Sequence, residues 1–282
     1  MRFVAPARET IEPALFTRPP LSLWSEFGAL LSGPQWPDIQ ALNVFVHNAA
    51  NASLPQFVAQ TPELLRDDLH YEQRIAQRGQ IATRTRNWHD LLNALIWLRF
   101  PGLKAALNAR QVAEIAQVGG KQRSRAQCAL THFDEGGAIV LLRDPNLLDV
   151  WDAHDWHGLF WRERAAWIDG RIQVLVFGHA LLEHALKPTQ LLVSKTLAVS
   201  VPQNTNVENA NVEDAAIVAV AAAIRNGELL NDPQELRPLP LSGIPGWHVD
   251  NSAEHFYREA PCFRPLRAGR RYIQPIALQS AG

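Results

Sequence analysis

The sequence predicts a mixed α/β (α+β) protein, a helix-rich body around a small sheet with irregular Pro-rich N- and C-terminal arms. Three observations lead there. Apolar residues recur at helical spacing through several segments of the middle of the chain. Between them lie short apolar runs of strand length, such as RIQVLVF at Arg171–Phe177. Prolines crowd both ends, where they forbid long helices and central strands. The expected organisation is one globular domain over 1–282: a covering arm over 1–54, an α/β body over 55–230 and a C-terminal covering over 231–282. At 282 residues the chain can bury a core without disulfides or metals.

The first arm carries Pro6, Pro13, Pro19, Pro20, Pro34 and Pro37, with one short helical piece around Leu21–Leu31 and Trp24 and Trp36 as anchors. Residues 38–52 read as a short helix and Gln56–Gln60 as a short strand. Thr61-Pro62 opens a helix, since proline in the first turn lacks only an N–H that would be orphaned anyway; that helix runs to Arg78 and stops at Gly79. Asn87, followed three residues later by Asp90, caps the next one. Leu91, Leu92, Leu95, Ile96 and Leu98 cover most of its circumference, which implies burial. Pro101 ends or kinks it, and a further helix covers Gly102–Gln117 before Gly119-Gly120.

Ala129–Leu142 reads as a β-hairpin, ALTHF and AIVLL joined across Asp134-Glu135-Gly136-Gly137. Two helices follow, Asn146–Ala153 and Asp155–Ile168, carrying Trp151, Trp156, Trp161 and Trp167. The Arg171–Phe177 strand turns at Gly178 into a helix, His179–Leu186, broken by Pro188. Leu191–Val201 is another strand. Asn211 and Asp214 cap an Ala-rich helix that reaches Asn226-Gly227. Residues 232–282 are again irregular.

Composition narrows the function. Lys+Arg of 27 against Asp+Glu of 28 leaves no global field to attract polyanions, so nucleic-acid binding is not expected; it would require Arg84, Arg86, Lys121, Arg123 and Arg125 on one face. Two cysteines cannot make a disulfide framework, the N-terminus has no secretory pattern, and no apolar stretch is long enough to span a bilayer. A cytoplasmic protein without membrane contact is the expectation. The phosphate-binding loop, the dinucleotide fingerprint, the GxSxG elbow, HExxH and CxxC are all missing from the sequence. Nine tryptophans against one methionine suggest a rigid, tightly specified core.

The stretch Tyr71–Asn108 with its NWHDLLNAL motif, followed by THFDEGGAIVLL, WHGLFW, VFGHALLE and GIPGWHVDN…FYREAPCFRP, resembles the uncharacterised bacterial family known as domain of unknown function 3025. The resemblance covers most of the chain after about residue 50. In that family the turn before AIVLL often reads Asp-Glu-Asn-Gly, where this chain has Asp-Glu-Gly-Gly. It implies no activity.

The candidate site therefore rests on the residues themselves. His89 and Asn93 lie four apart on the most apolar helix, and Lys104 and Asn108 repeat that spacing on the next. If Pro101 folds the helices together, the four polar groups converge. Gly178-His179 opens a helix straight after a buried strand, and His179 and Glu183 have the spacing of a two-ligand metal face; His184 projects about 100° away. The reading that follows is a hydrolase-like enzyme acting on a small anionic or phosphorylated molecule. His89 is the general base, His179 and Glu183 are acid or ligands, and Lys104 or Arg84 clamps the anion, with Asn93 and Asn108 beside them. A cofactor is undetermined, a divalent metal being the minor alternative, and oligomeric state is left open. The rival reading is a non-catalytic binding or scaffold protein whose polar residues lock a Trp-rich core. Three further groups are read as structural: the Asp152, His154, Asp155 and His157 junction, the Asp134-Glu135 turn, and Cys128 with His132.

Overall fold

The computed structural model describes residues 3–48, 54–119, 122–202 and 210–278. It has the mixed α/β architecture that the pattern implies, with helices around small sheets. Lys121 and Gly120 lie outside the described residues.

The N-terminal arm runs through 3₁₀ turns into α1 (Gly28–Leu31) and then α2 (Ile39–Asn48). Its fastening is a buried arginine. The Arg8 guanidinium donates to the carbonyls of Leu30 at 2.8 Å, Gly33 at 2.9 Å and Ser32 at 3.1 Å. It also lies 5.0 Å from the ring centroid of Trp36 and 4.9 Å from that of Trp88. Trp24 is buried as expected.

Next come β1 (Gln56–Ala59), α3 (Tyr71–Arg78) and β2 (Gln80–Thr83), with β1 and β2 paired in parallel from Gln56↔Gln80 to Ala59↔Thr83. The long helix expected from Thr61 is broken. A 3₁₀ turn at Leu64–Asp67 ends on Asp68 in the left-handed region (φ 52°), and His70 starts α3 afresh by accepting from the Glu72 N–H. Gly79 ends α3 at φ 62° as foreseen.

In α4 (Trp88–Arg99) and α5 (Pro101–Val118) the cap and the proline act as expected. Asn87 Oδ1 accepts from the Asp90 N–H at 3.0 Å. Phe100, forced out of the helical region by the proline after it, sits at φ −123°, ψ 52° and turns the chain between the two helices.

The hairpin is corrected. Residues Arg125–Gly136 form a helix, α6, that passes directly into the strand β3 (Gly137–Leu142). Ser124 Oγ accepts from the Gln127 N–H at 3.0 Å while Gln127 Oε1 accepts from the Ser124 N–H at 2.9 Å, a reciprocal cap. Ala126, Ala129, Leu130 and Phe133 are buried at helical spacing. Asp134 and Glu135 thus sit on the last turn of a helix.

Beyond lie α7 (Asn146–Asp152), a π turn at Gly158–Arg162, α8 (Arg164–Ile168), β4 (Ile172–Val176), α9 (His179–Ala185), β5 (Val193–Ser200), α10 (Ala210–Arg225), β6 (Arg237–Pro240), α11 (Phe256–Glu259) and β7 (Ile276–Ala277). Asn211 and Asp214 fall inside the start of α10 and do not precede it. The main sheet has the order β4-β3-β5-β6, with β7 also on β5. Its centre is the fully buried β3, antiparallel to β4 from Ala138↔Val176 and parallel to β5 from Gly137↔Lys195. The Pro-rich C-terminal stretch thus adds two strands to the sheet. Pro238 and Pro240 are tolerated because β6 lies at an edge. No helix among the described residues is long and apolar enough to cross a membrane.

Candidate functional site

Two chain crossings meet at one end of β3. There α6 enters β3, and β4 leaves through Gly178 into α9. Phe177 and Gly178 both donate to the Gly137 carbonyl, at 3.0 and 2.8 Å. A Cβ on Gly178 would stand 2.5 Å from the Glu135 carbonyl oxygen and from the Gly137 nitrogen. Only glycine permits that approach, and it brings His179, the first residue of α9, beside the last turn of α6.

His89, on the first turn of α4, completes the group. His179 and Glu183, one turn apart on α9, hold its two ring nitrogens: His89 Nδ1 lies 3.1 Å from Glu183 Oε2, and His89 Nε2 lies 3.0 Å from His179 Nε2. The two rings are nearly perpendicular, with centroids 4.4 Å apart. Glu135 Oε2 lies 3.4 Å from His179 Nε2 and 3.9 Å from His89 Nε2. Behind His179, Nδ1 is buried, and Asp134 Oδ2 lies 3.9 Å from it.

The electrostatics separate the two imidazoles. His89 is held above its ordinary value by its contact with Glu183, against the opposing effect of burial. Burial pushes His179 down to about 3 despite the Asp134 carboxylate, so this ring is neutral at physiological pH. Glu135 is raised by burial, with His89 opposing. Burial would also raise Asp134, but the Lys104 ammonium and the neighbouring imidazoles together outweigh it and the carboxyl lies below its usual range.

These groups open onto a cavity of about 330 Å³ whose lining includes His89, His179, Asp134, Glu135, Asn93, Lys104, Asn108 and Arg84. The bend at Phe100 does bring Asn93 and Lys104 together: Lys104 Nζ donates to Asn93 Oδ1 at 2.9 Å and to Asp134 Oδ1 at 2.6 Å. Asn93 donates onward to Tyr71 Oη at 3.0 Å. Asn108 Nδ2 donates to Glu72 Oε2 at 2.6 Å, and Arg84 grips Asp90 through Nε at 3.1 Å and an Nη at 2.7 Å. The groups read from sequence as anion clamps therefore already have internal partners. Glu183 sits beneath His89, outside the cavity lining.

Sequence reasoning missed Glu135, Asp134, Tyr71 and Glu72. The first two were assigned to a hairpin turn, and the signal against it was present: Ser124 three residues before Gln127, then apolar residues at 126, 129, 130 and 133. The other groups disperse. Asp152 pairs with Arg237, His154 meets Tyr272 Oη at 2.8 Å, Asp155 caps the Gly158 N–H and pairs with Arg162, and His157 meets Glu254 at 2.8 Å. Arg125 pairs with Asp232. Cys128 and His132 lie on α6, not on a strand.

His89, Glu135 and His179 form a group that can hold a metal ion, each offering one ligand atom within 4.8 Å of the others. Zn–N distances of about 2.0–2.1 Å place ligand atoms around one ion roughly 3–3.5 Å apart, close to the separations between these atoms. The partners behind them also suit it: metal-ligating histidines turn their second ring nitrogen to a carboxylate, as His89 does to Glu183, and the His179 Nδ1 faces Asp134.

Fold and site together define a helix-rich α+β protein with two imidazoles and a carboxylate converging at the wall of a polar cavity. Residues 55–267 match the family model described as "Protein of unknown function (DUF3025)", and the chain belongs to that family. No curated protein and no solved structure matches it.

Proposed function

We propose that the protein is a metal-dependent hydrolase of a small anionic molecule, with a divalent ion held by His89, His179 and Glu135. The observation that carries this reading is the pair of Nε2 atoms 3.0 Å apart with Glu135 Oε2 at 3.4 and 3.9 Å. Two neutral imidazoles and one carboxylate leave further positions on the ion for water and substrate. His89 then acts as a ligand instead of a free base, and Glu183 orients its ring from behind.

A divalent ion held by His89, His179 and Glu135 would supply the nucleophile, by lowering the pKa of a water towards neutrality. Hydroxide supplied in this way would add to the electrophilic carbon or phosphorus of the substrate. The leaving group departs with its electron pair and takes a proton from solvent. Lys104 balances Asp134, which keeps a buried carboxylate ionised behind His179. The substrate's charge would meet Arg123 at the cavity wall, with Arg84 beside it already paired to Asp90.

The test is calorimetric titration of chelator-treated protein with Zn²⁺ and Mn²⁺. One ion per chain is expected to bind, and His179→Ala and Glu135→Ala should each abolish it while melting as cooperatively as the parent. Glu183→Gln should weaken binding about 10- to 100-fold, the usual effect of losing a carboxylate behind a ligand histidine. Absence of binding to the parent, or binding indifferent to His179→Ala, would refute the assignment.

A further inference from the structure

A second cavity, of about 660 Å³, lies between β5, β6 and the segment 261–272. Lys195, Arg264, Arg267 and Arg270 line it, and its lining contains no Asp or Glu. That is unusual for this molecule. Many other arginines are matched to carboxylates: Arg74 to Asp67, Arg84 to Asp90, Arg125 to Asp232, Arg171 to Asp144, Arg237 to Asp152, Arg258 to Glu254. Among the described residues, no ion pair takes the side chain of Lys195, Arg264, Arg267 or Arg270.

Four like charges around one hollow repel one another unless an anion joins them. They evidently feel that field, since burial and then the charges of Arg270, Arg267 and Arg264 hold the Lys195 ammonium below its ordinary value. The segment that displays the arginines is nevertheless held firmly. The Arg264 carbonyl accepts from Trp156 Nε1 at 2.7 Å and lies 3.1 Å from His154 Nδ1. Arg270 donates to the Leu236 carbonyl at 3.2 Å and stacks 4.7 Å from the Tyr272 ring centroid. Arg237 lies 5.1 Å from the same Tyr272 ring centroid and donates to the Ile273 carbonyl at 2.6 Å. A prearranged set of unpaired cations loses little freedom when it takes a ligand.

We infer that this cavity is a binding site for a small polyanion bearing two or more phosphate groups, separate from the His89–His179 cavity. A single carboxylate or phosphate would leave most of the four cations unmatched. The concave shape favours a compact ligand over an extended phosphodiester strand, which needs a charged strip.

The experiment titrates the full chain with tripolyphosphate in low salt and excess chelator, conditions that remove any metal at the other site. Wild-type protein should bind one tripolyphosphate, with affinity falling as salt rises. Lys195→Ala and Arg267→Ala should each weaken it about tenfold, roughly one lost charge-assisted contact. His89→Ala should bind as the parent does. A parallel sedimentation with phosphatidate vesicles identifies the source of the phosphate: binding that requires Lys195 and Arg267 in either arm upholds the site, and the arm that responds says whether the groups are free or on a lipid. Tripolyphosphate and vesicles both ignored, or bound equally well by the Lys195→Ala/Arg267→Ala double variant, would overturn it, as would an oligonucleotide that needs these residues and outcompetes tripolyphosphate.

Discussion

Glu72 illustrates what a polar residue costs when it faces this cavity. Its carboxylate accepts from Asn108 and is raised above its ordinary value by burial, with the Asn108 bond opposing. A carboxyl whose folded value is raised contributes stability that is fully present below its unfolded value. That contribution is lost as pH climbs through the folded value, because the native state then bears a charge it disfavours. Glu72→Gln keeps the acceptor for Asn108 and removes the charge. The difference in melting temperature between Glu72→Gln and the parent should therefore grow more positive between pH 4 and pH 8. A difference that is flat across that range would mean Glu72 is ionised at no cost in the fold. His179 stands at the other extreme: buried and neutral, it contributes a lone pair without contributing charge, whereas His89 next to it is made more basic by Glu183. Both histidines were legible as polar residues set in apolar runs, and such residues cost stability unless bonded or used. Their common partner Glu135 was not, because its place depends on which element it ends.

At the scale of elements, that dependence comes down to α6. ALTHF and the apolar run AIVLL have the length of strands, and DEGG the composition of a turn, so local pattern favoured a hairpin. The helix wins through its reciprocal cap at Ser124 and Gln127 and the burial of Phe133, neither of which that pattern registers. By contrast, the Asn87 cap, the Pro101 bend and the Gly79 stop were readable because each acts within a few residues. β2 and β6 were not: four residues each, they become strands only by pairing with β1 and β5, far away in sequence. Gly178 is where local and distant constraints meet. Its backbone at φ −69° suits any residue, so alanine there would suffer from crowding alone, against the Glu135 oxygen, the Gly137 nitrogen and the Gly136 Cα. Gly178→Ala should cost about 1–3 kcal/mol, the usual range for overpacking, measured by urea unfolding. It should also push α9 off α6 and so separate His179 from Glu135. An unchanged midpoint would show that the junction has slack to absorb a methyl group.

On the scale of the whole molecule, arms that look like loose wrapping in the sequence are tied into one connected apolar core by buried arginines. Arg8 fastens the first arm, and Arg237 the last. Arg237, 2% exposed, pairs with Asp152 at 2.7 and 3.1 Å and donates to the Ile273 carbonyl, so one guanidinium joins the end of α7, the start of β6 and the chain leading to β7. Its ring neighbours Trp151 and Tyr272, at 5.7 and 5.1 Å, stack on it from the core and from the arm. Removing one partner of a buried pair costs about 3–5 kcal/mol; Asp152 keeps a third of its side chain in water, which brings Arg237→Leu to the lower end of that range. The double variant Arg237→Leu/Asp152→Leu leaves no unmatched carboxylate and should recover part of the loss, a coupling that a double-mutant cycle reads directly. Protease cleavage should also appear first between residues 264 and 276 in Arg237→Leu, since that span loses its tie at Ile273 while β1, β2 and the helices around them keep their contacts. Cleavage starting elsewhere, or singles and double losing the same amount, would show that the C-terminal strands hold to β5 without the arginine.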